Sequence, residues 1–285
     1  MNLSICTISF RHELISIDQL ANWAKTNNFQ AIELWGAHAL NLADQPNYGQ
    51  DWLSGFNLHC SMISDYLPLQ GPEHEVFSKV HHLCRLANHW GASKLRTFAG
   101  QKGSAETSPK ERAQIIQRLS DICTWAEQHS ITLIVETHPN TLADSVDSTH
   151  QLIKEVAHDN LKINFDVLHV WESGADPIVA VDQLAPHIQH FHLKNISSEK
   201  FLDVFLPPNV YAASGTREGM VPVFEGAVNY ETFLEHLIYH HHSDLWEMDA
   251  SLEWFGHQAK KVLRNDRYQL QKLEQQCQLG HVISQ

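Results

Sequence analysis

The stretch Ile131 to Thr141, Ile-Thr-Leu-Ile-Val-Glu-Thr-His-Pro-Asn-Thr, constrains this chain more than any other. Its first five residues are apolar or β-branched, which suits a strand buried in a parallel sheet. The run then changes abruptly to Glu136, Thr137, His138 and Pro139. The same order recurs in Leu161-Lys-Ile-Asn-Phe-Asp166, in Ile188-Gln-His-Phe-His192-Leu-Lys194 and in Ala250-Ser-Leu-Glu253-Trp-Phe255. Strands that each close on a carboxylate or an imidazole are expected where catalytic groups line the C-terminal mouth of a (β/α)8 barrel.

The rest of the chain keeps that rhythm. Strands are expected over Leu3 to Ile8, Gln30 to Trp35, Phe56 to Ser64, Ser93 to Phe98 and, last, Glu247 to Glu253. Helices are expected from Ser16 to Asn28, Glu73 to Trp90, Ser108 to Gln128, Ser148 to Val156, from Asp176-Pro177, from Asn229 to His240 and from His257 to about Gln278. Ser108-Pro109-Lys110-Glu111 reads as a capping box with Pro in the first turn. At 285 residues and 43% hydrophobic, the chain suits one catalytic domain spanning 1–285, slightly longer than the roughly 250 residues of an ordinary barrel. Only between Asn195 and Ala227 does the alternation stop; a long loop after the seventh strand is placed to form a lid over the mouth.

Composition excludes several classes. Cys6, Cys60, Cys84, Cys123 and Cys277 are scattered and contain no Cys-x-x-Cys pair, so neither a disulfide framework nor a zinc ribbon is expected. No signal-peptide order and no apolar run of spanning length is found, which predicts a cytoplasmic protein with no membrane partner. The formal net charge of −13 argues against a nucleic-acid surface. The loop Ala99-Gly-Gln-Lys-Gly-Ser104 lacks the Gly-Lys-Ser/Thr order of a phosphate loop. His240-His241-His242 precedes the last strand, belongs to the face opposite the mouth and reads as a plain surface tract, as do His81-His82.

Consecutive strand ends converge on the barrel axis, so Glu136, Asp166, His192 and Glu253 are expected to meet. Singly, each could be an ordinary polar group of a barrel mouth. Together, three carboxylates and an imidazole suit Mn²⁺, Mg²⁺ or Co²⁺ better than structural Zn²⁺. Residues two apart share a strand face, which brings His138, Lys194 and Phe255 into the same mouth; His169 lies just beyond Asp166. Arg96 and Lys102 are candidates to hold a small anionic substrate, Arg96 by bidentate pairing with a carboxylate. Glu33, Tyr66 and Arg11-His12 are further mouth candidates.

At these residues the chain resembles the xylose isomerase-like TIM barrel superfamily. More closely, it is similar to the bacterial 3-dehydroshikimate dehydratases of petrobactin-type siderophore synthesis. The stretches that carry the likeness include Met62-Ile-Ser-Asp-Tyr66, Arg96-Thr-Phe-Ala-Gly-Gln-Lys-Gly-Ser104, Glu136-Thr-His-Pro-Asn-Thr141, His169-Val-Trp-Glu-Ser-Gly-Ala-Asp-Pro177, His192-Leu-Lys-Asn-Ile-Ser197 and Ser251-Leu-Glu-Trp-Phe-Gly-His257. The resemblance implies metal ligands at Glu136, Asp166, His192 and Glu253. It also implies a pocket of Tyr66, Arg96, His138, His169 and Lys194 under an aromatic lid around Phe205 and Tyr211. The reaction implied is the metal-dependent dehydration of 3-dehydroshikimate to 3,4-dihydroxybenzoate through an enolate, with His138 as base; Mn²⁺ is the metal expected first. His138, Lys194 and His169 remain alternatives as the proton donor. A sugar or sugar-acid isomerase or epimerase is the alternative on the same metal site, ahead of a multi-zinc DNA-repair endonuclease and a non-catalytic barrel. The departures from the family pattern, around Ile238 to Asp249 and at the C-terminus, bear on contacts in a homo-oligomer rather than on chemistry.

Overall fold

Strand segments buried on both faces need cover on both, and the chain supplies it by closing its sheet on itself. The computed structural model describes residues 1–283. Its strands are β1 (Asn2–Cys6), β2 (Ala31–Trp35), β3 (His59–Ser64), β4 (Lys94–Thr97), β5 (Thr132–Glu136), β6 (Leu161–Asp166), β7 (Ile188–Leu193), β8 (Asn195–Ile196), β9 (Met220–Val221) and β10 (Asp249–Leu252). All but β8 and β9 pair in parallel in a closed barrel, in the order β1, β10, β7, β6, β5, β4, β3, β2. The register sets Glu136 opposite Asn164 and Asp166 opposite His192, which brings the functional strand ends level. On β5, Leu133 and Val135 join the apolar layer beneath the helices, and alternation turns Ile134 and Glu136 into the barrel.

The outer helices include Ile17–Thr26, Glu73–Trp90, Pro109–Glu127, Val146–Val156, Pro177–Leu184, Tyr230–His240 and Ala259–Ile283. Reciprocal capping boxes open two of them, Ser16 with Gln19 and Ser108 with Glu111. Three expectations need correction. The first strand ends at Cys6 rather than Ile8, because Thr7–Phe10 winds into a buried 3-10 turn. The third strand starts at His59 rather than Phe56. Short helices at Gly36–Asn41, Gln50–Ser54 and Val167–Glu172 were not expected; five or six residues carry too little periodicity to be read.

The connection over 195–227 is also more ordered than its composition suggests. It holds a 3-10 helix Glu199–Phe205, a short helix Pro207–Tyr211, the antiparallel ribbon of β8 and β9 and a 3-10 turn Val223–Glu225. Asn195 staples it, donating from Nδ2 to the carbonyls of Val223 at 2.6 Å and Val228 at 2.9 Å while its Oδ1 accepts from the Val228 amide. From the far side of the mouth, Arg11 donates to the Val210 carbonyl at 2.7 Å and lies over the Phe255 ring at 5.1 Å.

Beneath the mouth the interior is polar. Lys94 Nζ donates to Asp249 Oδ2 at 2.8 Å and lies 3.2 Å from His190 Nδ1. His190 Nε2 meets the Ser251 hydroxyl at 2.8 Å, and Ser251 pairs with Ser4 at 2.6 Å. The five cysteines are free and buried. Among the described residues, no helix is long and apolar enough to cross a membrane.

Burial opposes the Asp249 charge, but the His59 hydrogen bond and the Lys94 ammonium outweigh it and hold Asp249 below the usual aspartate range. Stability from this group is therefore present above the unfolded value near pH 4 and is lost as pH falls toward the folded value. Asp249→Asn is expected to cost about 3 kcal/mol at neutral pH. It should also flatten the acid limb of stability, measured by urea unfolding from about pH 5 downward. An acid limb as steep as that of the wild type would refute this role.

Candidate active site

Glu136 ends β5, and the chain turns at once. Thr141 Oγ1 donates to the His138 carbonyl at 2.8 Å, the His138 amide donates to Ala143 O at 3.1 Å, and Asn140 takes a left-handed φ of 59°, which asparagine tolerates. This tight turn holds His138 over the mouth. Its Nδ1 donates to the Pro139 carbonyl at 2.7 Å, which leaves Nε2 as the free nitrogen of the neutral ring. The ring packs at 4.3 Å against both Phe98 and His169. Burial, and then the neighbouring His169, push the His138 imidazole down to about 3.

Asp166 ends β6 and caps the next short helix by accepting from the His169 amide at 3.1 Å. That helix carries His169 into the cavity, where Nδ1 lies 2.7 Å from Glu172 Oε2. On β7, His192 sends Nε2 to Glu33 Oε2 at 3.0 Å. Its Nδ1, buried and without a hydrogen-bond partner, faces Glu136 Oε2 at 3.5 Å, Glu253 Oε2 at 3.5 Å and Asp166 Oδ2 at 4.0 Å. The donor atoms of Glu136, Asp166 and His192 fall within 4.8 Å of one another. An unpartnered imidazole nitrogen ringed by three carboxylates is a donor set that fits a divalent cation preferring oxygen ligands.

Two cations are built into the same space. Arg96 Nε pairs with Glu136 Oε2 at 3.0 Å, and the guanidinium lies over the Phe98 and Tyr66 rings at 5.0 and 5.7 Å. Its buried Nη1 has no protein partner. Lys194 Nζ bridges Asp166 Oδ2 and Glu253 Oε2, the latter at 2.8 Å. Burial by itself would lower both groups; Glu136 holds Arg96 above its ordinary value, and Asp166 and then Glu253 do the same for Lys194. Four buried carboxylates, Glu33, Glu136, Asp166 and Glu253, thus face the two cations Arg96 and Lys194.

One cavity brings together Tyr66, Arg96, Glu136, His138, His169, Lys194, Glu253 and Phe255, roofed by Phe205, Pro207 and Val210 of the lid. Tyr211 stands at its rim, hydrogen-bonded to Tyr66 through the two hydroxyls and stacked on Trp35 at 5.8 Å. Two expectations are corrected. Glu33 is fully buried, is not among the residues lining this cavity, and holds its Oε2 3.0 Å from His192 Nε2. Lys102 lies outside this cavity, exposed and paired with Glu111 at 2.7 Å, because the loop after β4 carries it away from the axis. The sequence reading missed Phe98 and His190, although each sits two residues from a singled-out one, Arg96 and His192, and so shares its strand face. Asn164, which donates to Glu136 Oε2 at 3.3 Å, had the same signal relative to Asp166.

The model of the xylose isomerase-like TIM barrel family matches residues 21–274. A 3-dehydroshikimate dehydratase of Bacillus anthracis is 48% identical over 275 residues, spanning 93% of this chain and 94% of that one. A crystal structure of a probable 3-DHS dehydratase involved in petrobactin synthesis, also from Bacillus anthracis, superposes with a TM-score of 0.89 at 47% identity and covers 95% of this chain and 99% of its own. The IOLI protein with a bound zinc atom shares the fold alone, with a TM-score of 0.74 at 16% identity over 97% of this chain and 98% of its own. By the family match and by the near full-length identity, this chain belongs to the xylose isomerase-like TIM barrel family.

Proposed function

We propose that this chain is a metal-dependent 3-dehydroshikimate dehydratase, a carbon–oxygen lyase that releases water and forms 3,4-dihydroxybenzoate (protocatechuate). The observation that carries the reading is a juxtaposition. An imidazole with a free Nε2, an ammonium and a guanidinium line one cavity beside the carboxylate cluster, in a chain 48% identical to a dehydratase of that name. Glu136, Asp166, His192 and Glu253 are the proposed ligands. A divalent cation held there, Mn²⁺ ahead of Mg²⁺ or Co²⁺, supplies Lewis-acid polarisation of the substrate ketone.

The chain's own groups account for the remaining steps. Arg96, with its unpartnered Nη1, receives the substrate carboxylate, and the Tyr66, Phe98 and Phe255 rings wall the substrate. His138 Nε2 removes the proton at carbon 4, which is acidified by the ketone at carbon 3, while the Pro139 carbonyl holds the Nδ1 proton in place. The carbon 5 hydroxyl then leaves as water, protonated by the newly charged His138 or by Lys194; His169, tied to Glu172, orients the pair. Enolisation of the remaining ring gives the aromatic product. Phe205, Pro207 and Val210 keep bulk water out.

An isomerase acting on a neutral sugar would use Glu136 and Glu253 as an unencumbered acid/base pair. Glu136 is instead tied to Arg96 and Asn164, and Glu253 to Lys194, which favours an anionic substrate. The proposed partner is thus a small anionic molecule in the cytoplasm, with a siderophore precursor as the product's use, supported by the petrobactin role of the relative.

Chelator-stripped protein supplied with 3-dehydroshikimate is expected to form a catechol, followed by its absorbance, only when Mn²⁺, Mg²⁺ or Co²⁺ is restored. Absence of product with all three, in protein that still binds one of them, would overturn the substrate assignment. His138→Ala is expected to lower kcat by about 10² to 10⁴-fold with metal content unchanged; wild-type turnover in that variant would remove His138 as base. Glu33→Gln is expected to weaken Mn²⁺ binding by about 10 to 100-fold, read by equilibrium dialysis, because the His192 ring loses its anionic support. An unchanged affinity would count against that support.

A further inference from the structure

Away from the mouth, two outer helices end side by side. Asp182 lies near the end of Pro177–Leu184; His236 sits on Tyr230–His240, and His241 is that helix's C-cap. Both helices lead directly toward barrel strands, β7 and β10, so their C-termini lie on the face opposite the cavity. His240 and His242 of the triple-histidine run are exposed, as a surface tract should be, but His241 is half-buried. The helix ends at that residue with φ −130°, and its ring turns back to 5.7 Å from the ring of His236.

The result is a convergence of donors. His236 Nε2 lies 2.7 Å and His241 Nε2 2.8 Å from the same oxygen, Asp182 Oδ1, and the three donor atoms fall within 4.8 Å of one another. The imidazole side chains are only 17% and 15% exposed, so their orientation is set by packing, whereas Asp182 is 49% exposed and open to water on one side. Asp244 Oδ2, 3.5 Å from His241 Nδ1, provides the outer carboxylate that steadies a ligating imidazole.

We propose that Asp182, His236 and His241 form a second metal site, independent of the mouth, that takes a divalent transition ion of the Zn²⁺, Co²⁺ or Ni²⁺ class with water completing the coordination. Two imidazoles select such ions over Mg²⁺ or Ca²⁺, which prefer all-oxygen shells. Bonds of about 2.0 to 2.2 Å to the ion require the donors to open by roughly half an ångström, a movement the half-exposed Asp182 side chain can make. Bound there, the ion clips the helix before β7 to the helix before β10.

Equilibrium dialysis of the chelator-stripped chain against Zn²⁺, with bound metal measured by atomic emission, tests this. His236→Ala/His241→Ala is expected to bind about one equivalent less than the wild type, with its circular dichroism and Mn²⁺-supported turnover unchanged. Asp182→Asn, which preserves side-chain shape, is expected to weaken binding at this site by at least about tenfold and separates loss of a ligand from loss of fold. His240→Ala/His242→Ala should bind as much Zn²⁺ as the wild type. Equal Zn²⁺ content in the wild type and the His236/His241 variant would overturn the proposal. So would an equal loss from the His240/His242 variant, which would assign the binding to the exposed tract, or an unchanged affinity in Asp182→Asn.

Discussion

Four carboxylates buried in one barrel against two fixed cations set the terms for the rest of the molecule. Two like charges about 4 Å apart repel by about 4 kcal/mol even at an effective dielectric near 20, so each buried carboxylate needs a donor or a cation against it. Arg96 serves Glu136, Lys194 serves Asp166 and Glu253, and the imidazole of His192 serves Glu33. A surplus of negative charge remains, and the unpartnered Nδ1 of His192 points into it. That surplus is the physical argument for a divalent cation in the proposed mechanism. Below it, Glu33, His190, Ser251, Ser4, Lys94 and Asp249 continue the polar packing to the base of the barrel. The mouth therefore rests on a column of hydrogen-bonded and charged side chains.

The lid is part of the same electrostatic arrangement. Phe205 and Phe255 each lie 5.8 Å from the Lys194 ammonium, so the aromatic faces stabilise the charge that the carboxylates attract. Tyr230 accepts the Lys194 amide at 3.2 Å and donates to its carbonyl at 2.7 Å, fixing the point where β7 gives way to the lid. On the opposite rim, Arg11 grips Val210, and Tyr211 packs against Trp35 and Tyr66. One segment thus touches both sides of the mouth, and its residues Phe205, Pro207 and Val210 line the cavity.

Much of this was legible in one dimension. Glu136, Asp166, His192 and Glu253 stand out because each comes at or near the end of a strand-like segment, and a barrel gathers such endings at its mouth. His138 and Lys194 followed from strand alternation, and Arg96 from a guanidinium placed near the end of the fourth strand. Residues whose role depends on depth did not. Glu33 sits in the middle of β2 rather than at its end, and there its carboxylate meets His192 Nε2. Lys102 was a candidate for its charge just beyond the fourth strand, and its loop instead carries it to Glu111. His241 and Asp182 are far apart in sequence, and only the packing of two outer helices joins them.

Periodicity and strand-end chemistry by themselves pointed to the eight-stranded parallel barrel, to the alternation of its strands with its longer helices and to the candidate groups at the ends of its later strands. These depend on local spacing and on the rule that both faces of a parallel strand need cover. Only the tertiary structure decided which carboxylate lies under His192, which nitrogen of His138 is free, how the lid folds over Lys194 and which histidines share Asp182. Those outcomes depend on angstrom-scale distances between residues tens to hundreds of positions apart, and hydrogen bonds and ion pairs are decided at that range.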